Sequence, residues 1–160
     1  MPLISVENAI ADVQSGKLLI IVDDESRENE GDLVVAAEKV TPEIINFMIT
    51  EARGLLCVPL LGNRLDELNI PMMVTAPSAS KFGTAFTVSV DHINNSTGVS
   101  AHERANTILK LIDPTANSTD FLKPGHLFPL RYEDGGVLVR AGHTEAIIDL
   151  AKLSNMYPAG

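Results

Sequence analysis

A single cysteine, Cys57, stands in 160 residues, so an internal disulfide and a cysteine-cluster metal site are both excluded. Tryptophan is absent and aromatic residues make up only 4% of the chain, too few to supply stacking platforms for bases. Cations are scarce as well: 12 Lys and Arg face 21 Asp and Glu, a net charge of −9. That balance repels a nucleic-acid backbone and an anionic membrane, so neither is expected as a partner. No apolar run approaches the roughly 18 residues of a bilayer span, and Met1–Ile10 lacks the basic and apolar parts of a signal peptide. The expected location is cytoplasmic. Any phosphorylated ligand has to be held by locally placed cations, helix N-termini or a metal.

What is present reads as one domain of ordinary globular composition, without repeats, low-complexity tracts or an obvious linker. Ser5 caps a short helix with Val6, Ala9, Ile10 and Val13 on one face, stopped at Gly16. Leu18–Val22 is a continuous apolar run, expected as a strand buried on both faces, and Leu33–Ala37 follows as a second strand. Thr41-Pro42-Glu43 reads as N-cap, N1 proline and first-turn acid of a helix that Gly54 ends. Leu55–Leu60 is expected as another buried strand and Arg64–Leu68 as a short helix. Phe86–Val90 alternates as a half-buried strand. Ser100 and Glu103 form a capping box for a helix through Ile112. Leu127–Arg131 and Gly136–Arg140 flank the hairpin signal Glu133-Asp134-Gly135-Gly136, and a last helix runs over about Thr144–Leu153. Strands and helices interleave while the hairpin breaks strict βαβ order, which predicts an α/β fold with a mixed sheet covered by helices.

Four segments and one side chain carry the candidate chemistry. The loop Asp23–Asp32 (DDESRENEGD) packs six carboxylates and one arginine between two apolar strands. Like charges that close repel, and a hard divalent cation such as Mg²⁺ or Mn²⁺ relieves the repulsion; the bland alternative is a solvated acidic turn. Arg140-Ala141-Gly142-His143-Thr144-Glu145 sits at the entry to a helix, where unpaired amides and a guanidinium suit an anion, and His143 can serve as metal ligand or base. The alternative there is a plain helix start capped by Thr144. His126, in Lys123–Pro129, is either hydrogen-bonded structure or a catalytic group. Asn94–Ser100 (NNSTGVS) can cradle phosphate through hydroxyls and amides but lacks P-loop spacing and the P-loop lysine, so it also reads as a simple loop. Cys57, in an apolar strand, reads as an inert buried thiol.

Taken in order, DDESRENEGD, GTAFTVSVD, STGVSAHERANTI, DFLKPGHLFPLR, GGVLVRAGHTEA and the closing YPAG resemble the 3,4-dihydroxy-2-butanone 4-phosphate synthases of riboflavin biosynthesis, from about Val6 to Gly160. The resemblance implies a three-layer α/β homodimer with active sites at the subunit interface. It implies a lyase that converts D-ribulose 5-phosphate to 3,4-dihydroxy-2-butanone 4-phosphate and formate with Mg²⁺ and no organic cofactor. Carried over by motif, Glu28 and His143 are the metal ligands. Arg27, Glu28, Asp32, Thr97 and the run Arg140, Ala141, Gly142, His143, Thr144 hold substrate. His126 is catalytic, with Glu28, Asp32 and Cys57 as further candidates for proton transfer. In that family the PAG is followed by a strand bearing an essential glutamate, so residues 1–160 are expected to be one synthase domain that is short at its C-terminal side. The runner-up reading is a metal- and sugar-phosphate-binding module with impaired turnover, or the first half of a bifunctional riboflavin enzyme.

Overall fold

The structure is a computed structural model and describes residues 3–74 and 83–160. The capping signals act where they stand. Ser5 accepts the Asn8 N–H and starts α1, Val6–Gln14, which buries only Val13 fully. Thr41 accepts the Ile44 N–H and opens α2, Pro42–Glu51, whose Ile45 lies in the core. Between these helices, β1 (Leu19–Val22) and β2 (Gly31–Val34) pair antiparallel as a two-stranded sheet, with Leu19 opposite Val34 and Val22 opposite Gly31. The expectation that the first apolar run is buried on both faces is corrected here. Ile20 and Val22 are 62% and 53% exposed, because this ribbon has one covered face and stands apart from the main sheet.

The main sheet follows the order β3 (Cys57–Leu60), β5 (Phe121–Arg131), β4 (Val90–His92), with β3 parallel and β4 antiparallel to β5. It is a mixed sheet, as the element order implied. α3 (Gly62–Glu67) follows β3, and α4 (Ala101–Ile112) starts at the Ser100–Glu103 capping box with both reciprocal bonds made. Val58 and Leu60 meet Ile45, Ile108 and Leu111 in the principal core, while Ile147, Ile148 and Ala151 of α5 (His143–Leu153) are buried outside that cluster. Full burial of a Leu or Ile side chain contributes about 1.5–3 kcal/mol, so these two layers are what hold the sheet between the helices.

Two expected strands do not form as expected. Of Phe86–Val90 only Val90 belongs to a strand, as the start of β4; Thr87 and Phe86 make isolated bridges, to Met72 and Leu130, and the segment buries Thr87 and Ser89 rather than leaving that side to solvent. Gly136–Arg140 is no hairpin arm. Gly135 and Gly136 both take positive φ, and residues 136–138 coil into a single 3-10 turn whose Val137 N–H donates to Asp149. Only glycine fits at 136, since a Cβ there would overlap the Asp149 carboxylate. Near the end of the chain, Ala159 bridges Leu60 of β3 and accepts the Ala37 N–H at 3.0 Å, tying the two sheets together beside a groove.

Candidate active site

The groove lies between β2 and β3 and encloses a cavity of about 670 Å³. Its apolar part includes Val35, Met48, Leu56 and Ile147, and its polar end carries Arg27, Glu28, Asp32, Arg140, His143 and Thr144. Residues of the acidic loop, β2, α2, β3 and α5 thus converge there.

Asp23 organises the acidic loop. Its carboxylate accepts the Glu28 and Glu30 N–H groups, each at 2.9 Å, and the Arg27 guanidinium at 2.8 Å. Burial works to raise its pKa, but these donors and the nearby His143 outweigh it and hold the carboxyl well below the usual carboxylate range. Asn29 takes positive φ to complete the turn. Glu28 is thereby aimed at His143, with its Oε2 3.5 Å from Nδ1; Asp32 stands 3.6 Å from the same nitrogen, and Asp23 Oδ1 is 4.0 Å from Nε2. The imidazole is buried, and its Nε2 has no hydrogen-bond partner. A buried, unsatisfied nitrogen costs about 1–3 kcal/mol, and a ligand bond removes that penalty. Asp23, Glu28 and His143 offer ligand atoms all within 4.8 Å of one another. Two carboxylates and an imidazole suit a hard or borderline divalent ion, so the residues fit Mg²⁺ or Mn²⁺. Asp23 is missing from the ligands and substrate contacts carried over by resemblance. Its signal in the sequence is its place as the first carboxylate after an apolar strand.

His143 is the first residue of α5 and Gly142 is the N-cap, two residues earlier than a Thr144 cap would give; Thr144 is buried in the first turn instead. Gly142 is required because a Cβ would press on the Arg140 guanidinium and the Glu145 carboxylate. Arg140 donates to Glu145 at 2.6 Å, and Glu145 is 1% exposed. Ala141, Gly142 and His143 also line a smaller cleft with Asp23 and Arg27. Cys57 lines the main groove, where burial, with a smaller push from the Asp32 charge, raises its thiol to about 11; it stays protonated at neutral pH.

Thr97 and His126 do not line the groove. The Ser96–Ser100 turn already holds an anion of its own. Glu103 accepts the Ser96, Thr97 and Ser100 N–H groups and the Ser100 hydroxyl, which corrects the reading of those amides as free for phosphate. The Ser100 hydroxyl, followed by the backbone donors, lowers the Glu103 carboxyl to about 2. A carboxyl with a depressed pKa stabilises the fold fully above its unfolded value near about 4.3 and loses that contribution as pH falls through the folded value. Protection of the Ser96, Thr97 and Ser100 amides, relative to the unstructured exchange rate at the same pH, is therefore expected to be high at pH 6 and to fall between about pH 4 and 2. Glu103→Gln should show little protection at any pH; a variant with unchanged protection contradicts this account.

The sequence profile of the 3,4-dihydroxy-2-butanone 4-phosphate synthase family matches residues 7–160. The chain is 55% identical over 157 residues to the riboflavin biosynthesis protein RibBA of Endomicrobium trichonymphae, covering 98% of this chain and 39% of that protein. It is 52% identical to RibBA of Synechocystis sp., covering 98% of this chain and 28% of that one. It thus spans well under half the length of these curated relatives. Among solved structures, a 3,4-dihydroxy-2-butanone 4-phosphate synthase in complex with two magnesium ions superposes with TM-score 0.94 at 43% identity, over 98% of this chain and 73% of that one. RibBX, a two-domain synthase from A. baumannii, superposes with TM-score 0.92 at 49% identity, over 98% of this chain and 46% of that one. With nearly its whole length matched by the profile and its fold shared with solved members, the chain belongs to the 3,4-dihydroxy-2-butanone 4-phosphate synthase family.

Proposed function

We propose that the chain is a carbon–carbon lyase of riboflavin biosynthesis, acting on D-ribulose 5-phosphate to form 3,4-dihydroxy-2-butanone 4-phosphate and formate. It works with Mg²⁺ or Mn²⁺ and no organic cofactor, as a cytoplasmic homodimer. The observation that carries this reading is the buried His143, its Nε2 without a partner and 4.0 Å from Asp23 and its Nδ1 beside Glu28 and Asp32, at the polar end of a groove large enough for a pentulose phosphate.

Glu28 and His143, with Asp23, would hold the ion. When bound, the ion polarises the ketone and makes the neighbouring C–H more acidic. The chain's own residues do the rest. Arg140 and the free first-turn amides of α5, from His143 and Thr144, receive the phosphate. Arg27 and Asp32 orient the hydroxyls from the loop side. Proton transfer to form the enediol falls to His126 or a loop carboxylate, since a thiol titrating near 11 leaves Cys57 a poor base at neutral pH. His126 is outside the groove of its own chain, which favours its delivery from a second copy. The hydroxyl leaves as water, the skeleton shifts, and one water is taken up again as formate is released, so the atoms balance without an external oxidant.

The test is incubation of the folded chain with D-ribulose 5-phosphate, with and without Mg²⁺, while following formate. One formate per sugar, only with the metal, is expected. A folded chain that binds both ligands without releasing formate is a binding module and defeats the proposal.

A further inference from the structure

Arg140 leaves the backbone just after the coil of residues 136–138, and that coil cannot anchor itself by packing. Leu138 and Val139 are 94% and 64% exposed, so burial of side chains does little to hold it. What holds it is α5. Glu145 and Asp149 stand four residues apart and share one face of that helix. Between them they grip the returning chain at four points. Glu145 accepts the Glu133 N–H through Oε1 at 3.2 Å and the Arg140 guanidinium through Oε2 at 2.6 Å. Asp149 accepts the Tyr132 hydroxyl through Oδ1 at 2.8 Å and the Val137 N–H through Oδ2 at 2.9 Å.

The direction of these bonds is forced. Lys152 donates to the Tyr132 oxygen at 2.9 Å, and an ammonium only donates. The single Tyr132 hydroxyl proton therefore goes to Asp149, so this carboxylate is braced from behind before it meets the turn. Gly136 lies directly against it at positive φ. The Gly136 carbonyl in turn accepts the Val139 and Arg140 N–H groups, both at 2.9 Å. A run of contacts thus leads from Asp149 through Gly136 to the Arg140 backbone, while Glu145 takes the guanidinium at the other end. The same helix begins at His143. One element therefore sets the imidazole of the candidate metal site and both ends of Arg140.

We infer that Asp149 is a positioning residue for substrate binding: by pinning the turn at 136–138 it fixes the point from which Arg140 reaches the phosphate, in register with His143. This rests on the proposed placing of the phosphate at Arg140. Removing a negative charge from α5 favours an anion by electrostatics alone. A loss of phosphate affinity on truncating Asp149 is therefore opposite in sign to a charge effect.

The test separates position from charge. Asp149→Ala removes both acceptors. Asp149→Asn removes the same charge but keeps an oxygen for the Val137 N–H and an N–H for the Tyr132 oxygen. Asp149→Ala should raise the KM for D-ribulose 5-phosphate about tenfold, the low end for losing one hydrogen bond to a charged group, with kcat changed by less than about twofold. Asp149→Asn should stay within about twofold of wild type in both. In an Arg140→Ala background, Asp149→Ala should add almost nothing. In the ligand-free protein, nuclear magnetic resonance should show a protected Val137 amide and an ordered Arg140 Nε–H in wild type, and both should be lost in Asp149→Ala. The inference is overturned if the wild-type Val137 amide exchanges at the unstructured rate, a measurement that needs no variant to fold. It is equally overturned if folded Asp149→Ala keeps its KM, if Asp149→Asn is as impaired as Asp149→Ala, or if Asp149→Ala weakens binding further once Arg140 is gone. Calorimetric binding of D-ribulose 5-phosphate makes the same comparison without turnover. A wild-type chain that binds the sugar phosphate but releases no formate thus defeats the lyase reading, and the variants still decide this one.

Discussion

Glu28→Gln is expected to lower Mg²⁺-dependent formate release by about 10³-fold while leaving the fold intact. A bound divalent ion stabilises developing charge by several kcal/mol, and each 1.4 kcal/mol is a factor of ten in rate. Glutamine keeps the shape of the side chain and an oxygen for Arg27, which now lies 3.1 Å from Glu28, but it removes the charge that makes this oxygen a ligand. The apo protein should lose no stability, because Asp23, Glu28 and Asp32 crowd one imidazole and one fewer negative charge relieves their repulsion. His143→Asn should give the same loss of rate. Mn²⁺ binding followed by electron paramagnetic resonance, beside chemical denaturation, separates the two effects. Unchanged Mn²⁺ affinity in both variants would remove Glu28 and His143 from the metal site, whatever happens to the rate.

Arg140→Ala should weaken ribulose 5-phosphate binding by about 1.5–3 kcal/mol, the range for a hydrogen bond to a charged group. The structure adds a second, larger cost. Arg140 is bonded to Glu145, a side chain with 1% exposure, and removing one member of a buried ion pair costs about 3–5 kcal/mol because the other is left uncompensated. Glu145 keeps one further donor, the Glu133 N–H at 3.2 Å, so the lower end, about 3 kcal/mol, is expected. Arg140→Ala with Glu145→Gln should recover more than half of the stability and none of the substrate affinity. If the single variant denatures at the wild-type midpoint, the pair contributes nothing; if it binds substrate like the parent, Arg140 is not part of the phosphate site.

Several features of the chain were legible one residue at a time. Ser100 and Glu103 announce α4, Thr41 and Pro42 announce α2, and the caps form there because a cap is a contact between residues three apart. The short apolar run ending at Leu60 is buried because β3 pairs with β5 in the main sheet; the similar run Leu19–Val22 is half exposed because, among the described residues, it pairs with β2 alone. Composition cannot tell these two apart, since burial depends on what a strand's neighbours cover. The glycine pair 135–136 signals a turn in either case, and only Asp149, thirteen residues on from Gly136, turns it into a 3-10 coil rather than a hairpin.

The candidate site divides along the same line. The order of the motifs by itself determined the family and the residue types, because those identities are written in the chain; the pairing of Glu28 with His143 was implied by the resemblance, and the fold sets the two side chains 3.5 Å apart. Tertiary structure decided which donors are already taken and which are left over. Glu103 fills the turn around Thr97, Asp23 rather than Asp32 draws the acidic loop together, Glu145 holds Arg140, and Asp91 reaches across 35 positions to fix the ring of His126. The reason is physical: a hydrogen-bond donor is spent by whichever acceptor packing brings within about 3 Å, and strand register, which shifts between Val90 and Asp91, not proximity in sequence, sets those distances.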